Sequence, residues 1–383
     1  MSGERRPTVA TLGFTERRVL QEIRRAGRIH RLEIATRCDL QPSTLTRSAG
    51  LLLDLGLVRE ETDSNPGRPG KPRQYLSVKP DGAYAVGVGL TAEEMMICVT
   101  DFDGHVLHEQ TRRLGALDPD TVADQAAAAV DACLTAAGVD PARIVGVGVT
   151  MPGNTSIHAP YFKPLPQFVG WDRLSPAALF SQRLAFPVWV QNDAHATAVA
   201  EAQFGAGVRQ QTFMTLYIAH GFGAGLFCNG QMFTGAHGNA GSVGGAIPRP
   251  LARPSGDDLL RTLANAGHPF ARLQDVDWDG ACWPVVESWI NRAADQLAEV
   301  IRMSMLVLDP ESVVLTGLLP GKVLEGLALR IRGAEFAGGQ DLPRPDIVVS
   351  PLIGSGLKLG AAALPFMHTF APHPPSAAAD GRP

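Results

Sequence analysis

Apolar positions follow two different rhythms along this chain, and the change comes near residue 80. Before it the spacing is helical. "TERRVLQEIRRAG" sets Val19, Leu20 and Ile23 on one stripe behind Thr15, a candidate N-cap, and Gly27 closes the segment. "HRLEIATRCD" turns Leu32, Ile34 and Ala35 inward ahead of the short turn "CDLQ". "QPSTLTRSAGLLLDLGLV" opens with Pro42 at the first helical position, carries Leu45, Leu52 and Leu55 on its core side, and stops at Gly56. Short helices joined by turns this tight predict a helix-turn-helix.

After residue 80 the rhythm becomes that of alternating strands and helices. Strand-like runs at "AYAVGVGL", "EMMICVTDFDG" and "HVLHEQTRRL" precede the helix "PDTVADQAAAAVDACLTAAG" and the buried strand "RIVGVGVTMPG". A second round begins at "TFMTLYIAHGFGAGLFCNGQMF". It continues through a long helix near 283–308, the strand "SVVLTG", a helix, the strand "DIVVSP" and the helix "GLKLGAAALPFM". Strands first and then alternation, twice over, predict a duplicated α/β unit with a cleft between two lobes. The expected domains are 1–80, 81–370, and a compositionally disordered tail at 371–383.

Charge sharpens that division. Residues 1–80 hold 15 Lys+Arg against 9 Asp+Glu, whereas the remainder holds 19 against 29. A basic head on an acidic body points to a polyanionic partner, although charge taken alone fits a solvated surface better. At the start of the third helix, Ser43, Thr44, Thr46 and Arg47 are polar and point away from the core side. Short donors and one arginine suit contacts to base edges and phosphates. "LVREETDSNPGRPGKPRQYLSVKP" then reads as a strand, a Gly/Pro-rich tip with Arg68, Lys71 and Arg73, and a returning strand. That is the form of a wing whose arginines enter a narrow minor groove; a flexible linker is the plainer alternative.

Composition removes other classes. No apolar run approaches the ~18–20 residues of a membrane span, and "MSGERRPTVATLGF" lacks the apolar core of a secretory signal. Cys38, Cys98, Cys133, Cys228 and Cys282 are scattered without a C-x-x-C pair, as expected of a reducing cytoplasm and no zinc site. "GVGLTA" at 87–92 satisfies a weak dinucleotide pattern, but the strand-like "EEMMICVTD" follows where a helix is required. In "AHGFGAGLFCNG", Gly221, Gly223 and Gly225 alternate inside an apolar run. The spacing suits either a phosphate cradle or a hairpin with close backbone packing.

Taken together, these segments resemble the ROK family of repressors and sugar kinases. "GRPGKPRQYLSV" resembles its wing, "VTMPGN" its Pro-Gly strand end, and "PVWVQNDAHATAVAE" its Asn-Asp segment. "GFGAGLFCNGQMFTGAHGNAG" resembles its second phosphate loop and sugar loop. The resemblance implies a winged helix-turn-helix followed by an actin/hexokinase-like two-lobed body. It places a sugar-like effector on Gln167, Asn192, Asp193, His195, Asn239 and Ser242. Asp193 would be a vestigial catalytic base, with a helix N-terminal acid as the alternative.

The departures bear on activity. Family kinases carry an aspartate followed by Gly-Gly-Thr where this chain has Gly89-Leu90-Thr91-Ala92-Glu93, so an acid is lost and a repelling one gained. Where the family reads Asn-Ala-Gly-Glu and then Gly-His, this chain has Ser242 for the glutamate and Gly245 for the histidine. The zinc-binding cysteines are missing from "AIPRPLARPSGDDLL". The expectation is a cytoplasmic, homodimeric regulator of transcription, a repressor, with no cofactor or metal. Its partners would be double-stranded operator DNA and a sugar-like effector. The rivals are a hexose kinase with an appended head, and a DNA-binding protein whose body only dimerises.

Overall fold

The computed structural model describes residues 12–62, 73–155, 162–172, 174–248, 251–334 and 342–372. The head comprises α1 (Phe14–Ala26), β1 (Arg28–His30), α2 (Arg31–Arg37), α3 (Pro42–Asp54), β2 (Val58–Thr62) and β3 (Gln74–Val78). The strands pair antiparallel in the order β1-β3-β2, so the returning strand lies between its neighbours. Arg28 bonds Glu61 at 3.1 Å and lies 3.9 Å above the Tyr75 ring, tying β1 across the sheet.

Two local expectations are corrected. The N-cap of α1 is Gly13, not Thr15: the Glu16 side chain reaches back to accept the Gly13 N–H at 3.1 Å, which Thr15 is placed too late to do. Leu32 is 69% exposed, because α2 is only two turns long and Ile34 alone fills its buried face. Gly27 and Gly56, both near φ +69°, end α1 and α3 as expected.

The first lobe contains β4 (Tyr84–Leu90), β5 (Glu94–Thr100), β6 (Val106–Arg113), α4 (Pro119–Ala137) and β7 (Ile144–Met151). It continues through β8 (Gly153–Thr155), β9 (Phe162–Pro164), α5 (Pro176–Arg183), β10 (Val188–Asn192) and α6 (Asp193–Phe204). The second lobe begins with β11 (Phe213–Ile218), β12 (Phe222–Cys228), β13 (Gln231–Met232), α7 (Gly256–Asn265) and α8 (Trp283–Val307). It ends with β14 (Ser312–Gly317), α9 (Gly321–Arg332), β15 (Asp346–Val349) and α10 (Gly356–Phe370).

The two five-stranded sheets have one topology. Their orders are β6-β5-β4-β7-β10 and β13-β12-β11-β14-β15: an antiparallel meander extended by two parallel strands. The duplication read from the sequence is present. Each lobe then lends a helix to the other. α6 follows the last strand of lobe 1 and packs on β11 and β12, while α10 follows the last strand of lobe 2 and packs on β4 and β7.

Glycines make this exchange possible. A Cβ at Gly87 or Gly148 would overlap the carbonyls of Lys358 and Ala361 on α10, and one at Gly225 would come 2.7 Å from the Ala194 carbonyl on α6. In the "GVG" runs, Gly87, Gly89 and Gly148 therefore serve helix-on-sheet contact. Antiparallel β5 after "GVGLTA" agrees with rejecting the dinucleotide reading.

The head is not loosely tethered. Its core of Val19, Leu20, Ile23, Leu45 and Leu52 is continuous with Ala83, Ala85, Phe102, Phe366 and Phe370 of the body. Arg24 of α1 inserts at this junction, its guanidinium 4.7, 5.8 and 5.7 Å from the ring centres of Phe102, Phe204 and Phe366. It also donates to the Phe102 carbonyl at 3.3 Å. Burial lowers its pKa to about 10, which still leaves it charged at neutral pH.

Candidate functional site

A cleft of about 460 Å³ opens between the lobes, lined by the β4–β5 turn, the start of α6, the β11–β12 turn and the loop at 238–245. Gln167, Asn192, Asp193, His195 and Ser242 all line it. Asn239 does not: it is exposed beside the cleft, its carbonyl accepting the Ser242 N–H at 3.1 Å.

The start of α6 is built by its cap. The Asn192 side-chain oxygen accepts the N–H groups of Ala194 and His195 at 2.9 and 3.3 Å, and its amide donates to the Gly153 carbonyl at 2.6 Å. Asn192 thus spends its hydrogen-bonding capacity on joining the Pro-Gly strand end to the helix. His195 is buried, and its Nε2 donates to the Ala240 carbonyl at 2.7 Å; burial lowers its pKa. This bond pins the sugar-loop segment onto α6. Gly241 completes the fit at φ +89°, its carbonyl accepting the Ala224 N–H at 2.8 Å where a side chain would overlap β12.

Asp193 is left as the acid facing the cleft. Burial pushes its carboxyl up to about 6, against the pull of the Ala194 N–H at 2.9 Å. Near neutral pH it is therefore close to the boundary between acceptor and donor. The sequence did not single out Tyr217, His220, Arg253 or Thr91, all of which line the same cleft. Tyr217 is buried on β11 and its hydroxyl pKa is raised, first by burial and then by the charge of Asp193. His220 bonds Asp257 at 3.0 Å, which raises its pKa, with the charge of Glu93 adding to the effect. His220 was legible in "AHGFG", next to the glycines; its partner lies 37 residues away and was not.

The glycine run 221–225 forms a hairpin. β12 pairs antiparallel with β11, and Gly225 sits under α6. Gly221 has open space where a side chain would stand and lines the cleft. Across it, the Thr91 hydroxyl accepts the N–H groups of Glu93 and Glu94 at 3.2 and 3.0 Å.

In the head, Ser43, Thr46 and Arg47 are exposed and Thr44 is half-buried on the first turns of α3. Thr46 donates back to the Pro42 carbonyl at 2.8 Å, and Ser48 turns inward to Glu16 at 2.8 Å. Arg73 is exposed just ahead of β3; Arg68 and Lys71 lie outside the described residues, as does 373–383. Among the described residues no three His, Cys, Asp or Glu side chains are grouped to hold a metal ion. Among them, no helix is long and apolar enough to cross a membrane.

Comparison with known proteins accords with this architecture. A family model described as the ROK family matches residues 84–256, and one described as winged helix-turn-helix DNA-binding matches 15–59. An uncharacterized protein, y4fQ, of Sinorhizobium fredii is 32% identical over 95% of this chain and 93% of its own length. The xylose repressor of Bacillus spizizenii is 25% identical over 59% of this chain, a match spanning 58% of that repressor. A crystal structure of a ROK family transcriptional regulator, a homologue of the Escherichia coli Mlc protein, superposes with a TM-score of 0.71 at 22% identity. It covers 93% of this chain and 96% of that one. The chain belongs to the ROK family, with a winged helix-turn-helix joined to the family's actin/hexokinase-like body.

Proposed function

We propose that this protein is a DNA-binding repressor of transcription, homodimeric and cytoplasmic, whose interlobe cleft senses a small polar, sugar-like effector without phosphorylating it. One observation carries the reading. α6 begins in the cleft at Asp193 and ends at Phe204, against the Arg24 guanidinium of the head. Any lobe movement that displaces α6 is felt by α1, which packs on α3. An effector shifts that equilibrium only by its differential affinity for the two lobe arrangements.

In this scheme Ser43, Thr44, Thr46 and Arg47 face operator DNA, and Arg73 joins Arg68 and Lys71 on the wing. Gln167, Asp193 and Ser242 meet the effector, while Asn192 and His195 hold the floor of the cleft. The repressors among the relatives support the assignment, the xylose repressor by its name favouring a sugar. Met303, Leu306 and Val307 expose 47, 55 and 84% of their surface on adjoining turns of α8, an apolar face suited to a second copy. Against a kinase stand Glu93 beside the cleft and the Thr91 hydroxyl that occupies the turn amides.

The test is operator binding by the full chain with and without a panel of sugars and sugar phosphates. The active compound should change affinity about 5–150-fold, the range of a 1–3 kcal/mol coupling. Asp193→Ala should abolish the response and leave unliganded DNA binding near normal. Arg47→Ala should weaken operator binding by about 1–3 kcal/mol. ADP release above background with ATP, Mg²⁺ and any hexose of the panel would return the chain to the kinases.

A further inference from the structure

We propose a second ligand site, separate from the cleft: a pocket between the head and lobe 2 that binds a small phosphate-like dianion through Arg18, Arg25 and Arg37. The cavity measures about 220 Å³, room for roughly seven waters at ~30 Å³ each. One wall is the face of α1 and the end of α2. The other is Gln211 and the β12–β13 turn at Asn229 and Gly230.

The walls are short of negative charge. Three guanidinium groups line the pocket and Glu22 is its single carboxylate. Glu22 is shared loosely, at 3.4 Å from Arg25 and 3.7 Å from Arg37, longer than the ~2.7–2.9 Å of a strong charge-assisted bond. Arg18 spends one donor on the neutral Cys38 carbonyl at 3.1 Å. Arg37 has a further partner in Glu33 at 2.5 Å, on the exposed side of α2. Lobe 2 supplies side-chain amides here and no acid. Its nearby Glu311 is spent on the N–H groups of Gln211 and Thr212, at 2.7 and 2.9 Å.

The backbone of lobe 2 gives way to the arginine. Gly230 is held at φ +72°, and a Cβ there would come 2.5 Å from Arg25 Nη2 and 2.9 Å from the Gln211 side-chain oxygen. Its missing side chain leaves the guanidinium at the pocket wall. Planar guanidinium forks match a phosphate, and carboxamides accept or donate to whatever oxygens remain. An anion here would neutralise the excess charge and join α1 to lobe 2. This inference does not depend on what the cleft binds.

The probe is inorganic phosphate, titrated against the full chain at constant ionic strength set with chloride, and read by thermal unfolding and calorimetry. Saturable binding that raises the unfolding temperature is expected. Arg25→Gln with Arg37→Gln should weaken it at least tenfold, and Asp193→Asn should leave it unchanged. Should the double variant fold poorly, Gln211→Glu puts a carboxylate in the opposite wall from an exposed position and should weaken binding similarly. Absence of saturable phosphate binding overturns the proposal. So does binding that survives both Gln211→Glu and the arginine changes, because the anion then sits elsewhere.

Discussion

The β4–β5 and β11–β12 turns occupy the same place in the duplicated topology, and both line the cleft. Their chemistry differs. In lobe 1 the Thr91 hydroxyl accepts two turn amides and donates to the Glu94 carbonyl at 3.2 Å, so the turn satisfies itself. In lobe 2 the turn closes by a backbone bond from Ala219 to the Gly221 carbonyl at 2.9 Å, and Gly221 leaves open space above it. One backbone plan therefore carries one self-filled turn and one open one. Topology is kept by glycines under the exchanged helices, whereas what the cleft can hold depends on single side chains at the turns.

The largest expected effect separates those two kinds of glycine. Gly148→Ala drives a Cβ into the Ala361 carbonyl of α10, and backbone has little room to yield. We expect a loss of about 3 kcal/mol, the upper part of the usual overpacking range. Gly221→Ala meets nothing within 4 Å and should stay within about 0.5 kcal/mol of the parent protein. Urea unfolding of both variants measures the contrast. Equal losses would mean that the glycine pattern does not divide into packing and cleft positions.

The division also explains what the sequence could and could not reveal. The strand runs and their duplication followed from the repeated apolar segments, and helix ends from Gly27, Pro42 and Gly56. The use of Gly87 and Gly148 was hidden, since the helix that covers them lies more than 200 residues later. Asp193 and His195 were legible from the Asn-Asp segment; Tyr217 on β11 was not, because a strand residue reads as core until the opposite lobe is in place. Asn239 failed for a related reason. It belongs to the same motif, but it is exposed and does not line the cleft, whereas Ser242, three residues on, does.

Asp193, at the end of the helix that lobe 1 lends to lobe 2, gives the next effect. Its folded-state pKa of about 6 lies above the ordinary aspartate value of 3.8, so the folded protein binds this proton more tightly than the unfolded chain. Stability from this group is full below pH ~4 and is lost as pH rises through about 6. At 1.36 kcal/mol per unit, discounted for partial exposure, the loss is about 2 kcal/mol. Asp193→Asn should remove that slope. The parent-minus-variant stability should fall between pH 4 and pH 7.5 in urea unfolding; a flat difference would place the carboxylate in contact with solvent.

Arg24 tests whether the head senses one lobe or both, since its three rings come from the β5–β6 turn, α6 and α10. Arg24→Met keeps much of the apolar stem and removes the charge above the rings. A loss of about 1–2 kcal/mol is expected from cation–π contacts that are shielded from water. The same variant should leave phosphate binding at the neighbouring arginines unchanged. Calorimetric unfolding that splits into separate head and body transitions would sharpen the comparison, by showing that this contact makes them one cooperative unit.

The smallest effect returns to the self-filled turn. Thr91→Ala removes the hydroxyl that accepts from Glu93 and Glu94, two half-buried residues just past Thr91 and Ala92 in the cleft wall, where water can reach the freed amides. Because water replaces the lost acceptor, the net cost should be only about 0.5–1 kcal/mol, that of one exchanged hydrogen bond. Hydrogen exchange is the more direct readout: the Glu93 and Glu94 amides should exchange several-fold faster, while the Gly221 turn stays unchanged. The substitution also makes lobe 1 resemble lobe 2 at this point, with open amides in both turns. If the self-filled turn is what keeps phosphates out, Thr91→Ala with Glu93→Gln should gain measurable affinity for ATP, read by fluorescence with a nucleotide analogue. Unaltered amide exchange in Thr91→Ala would mean that the turn is held by its backbone alone, and that the two turns differ less than their side chains indicate.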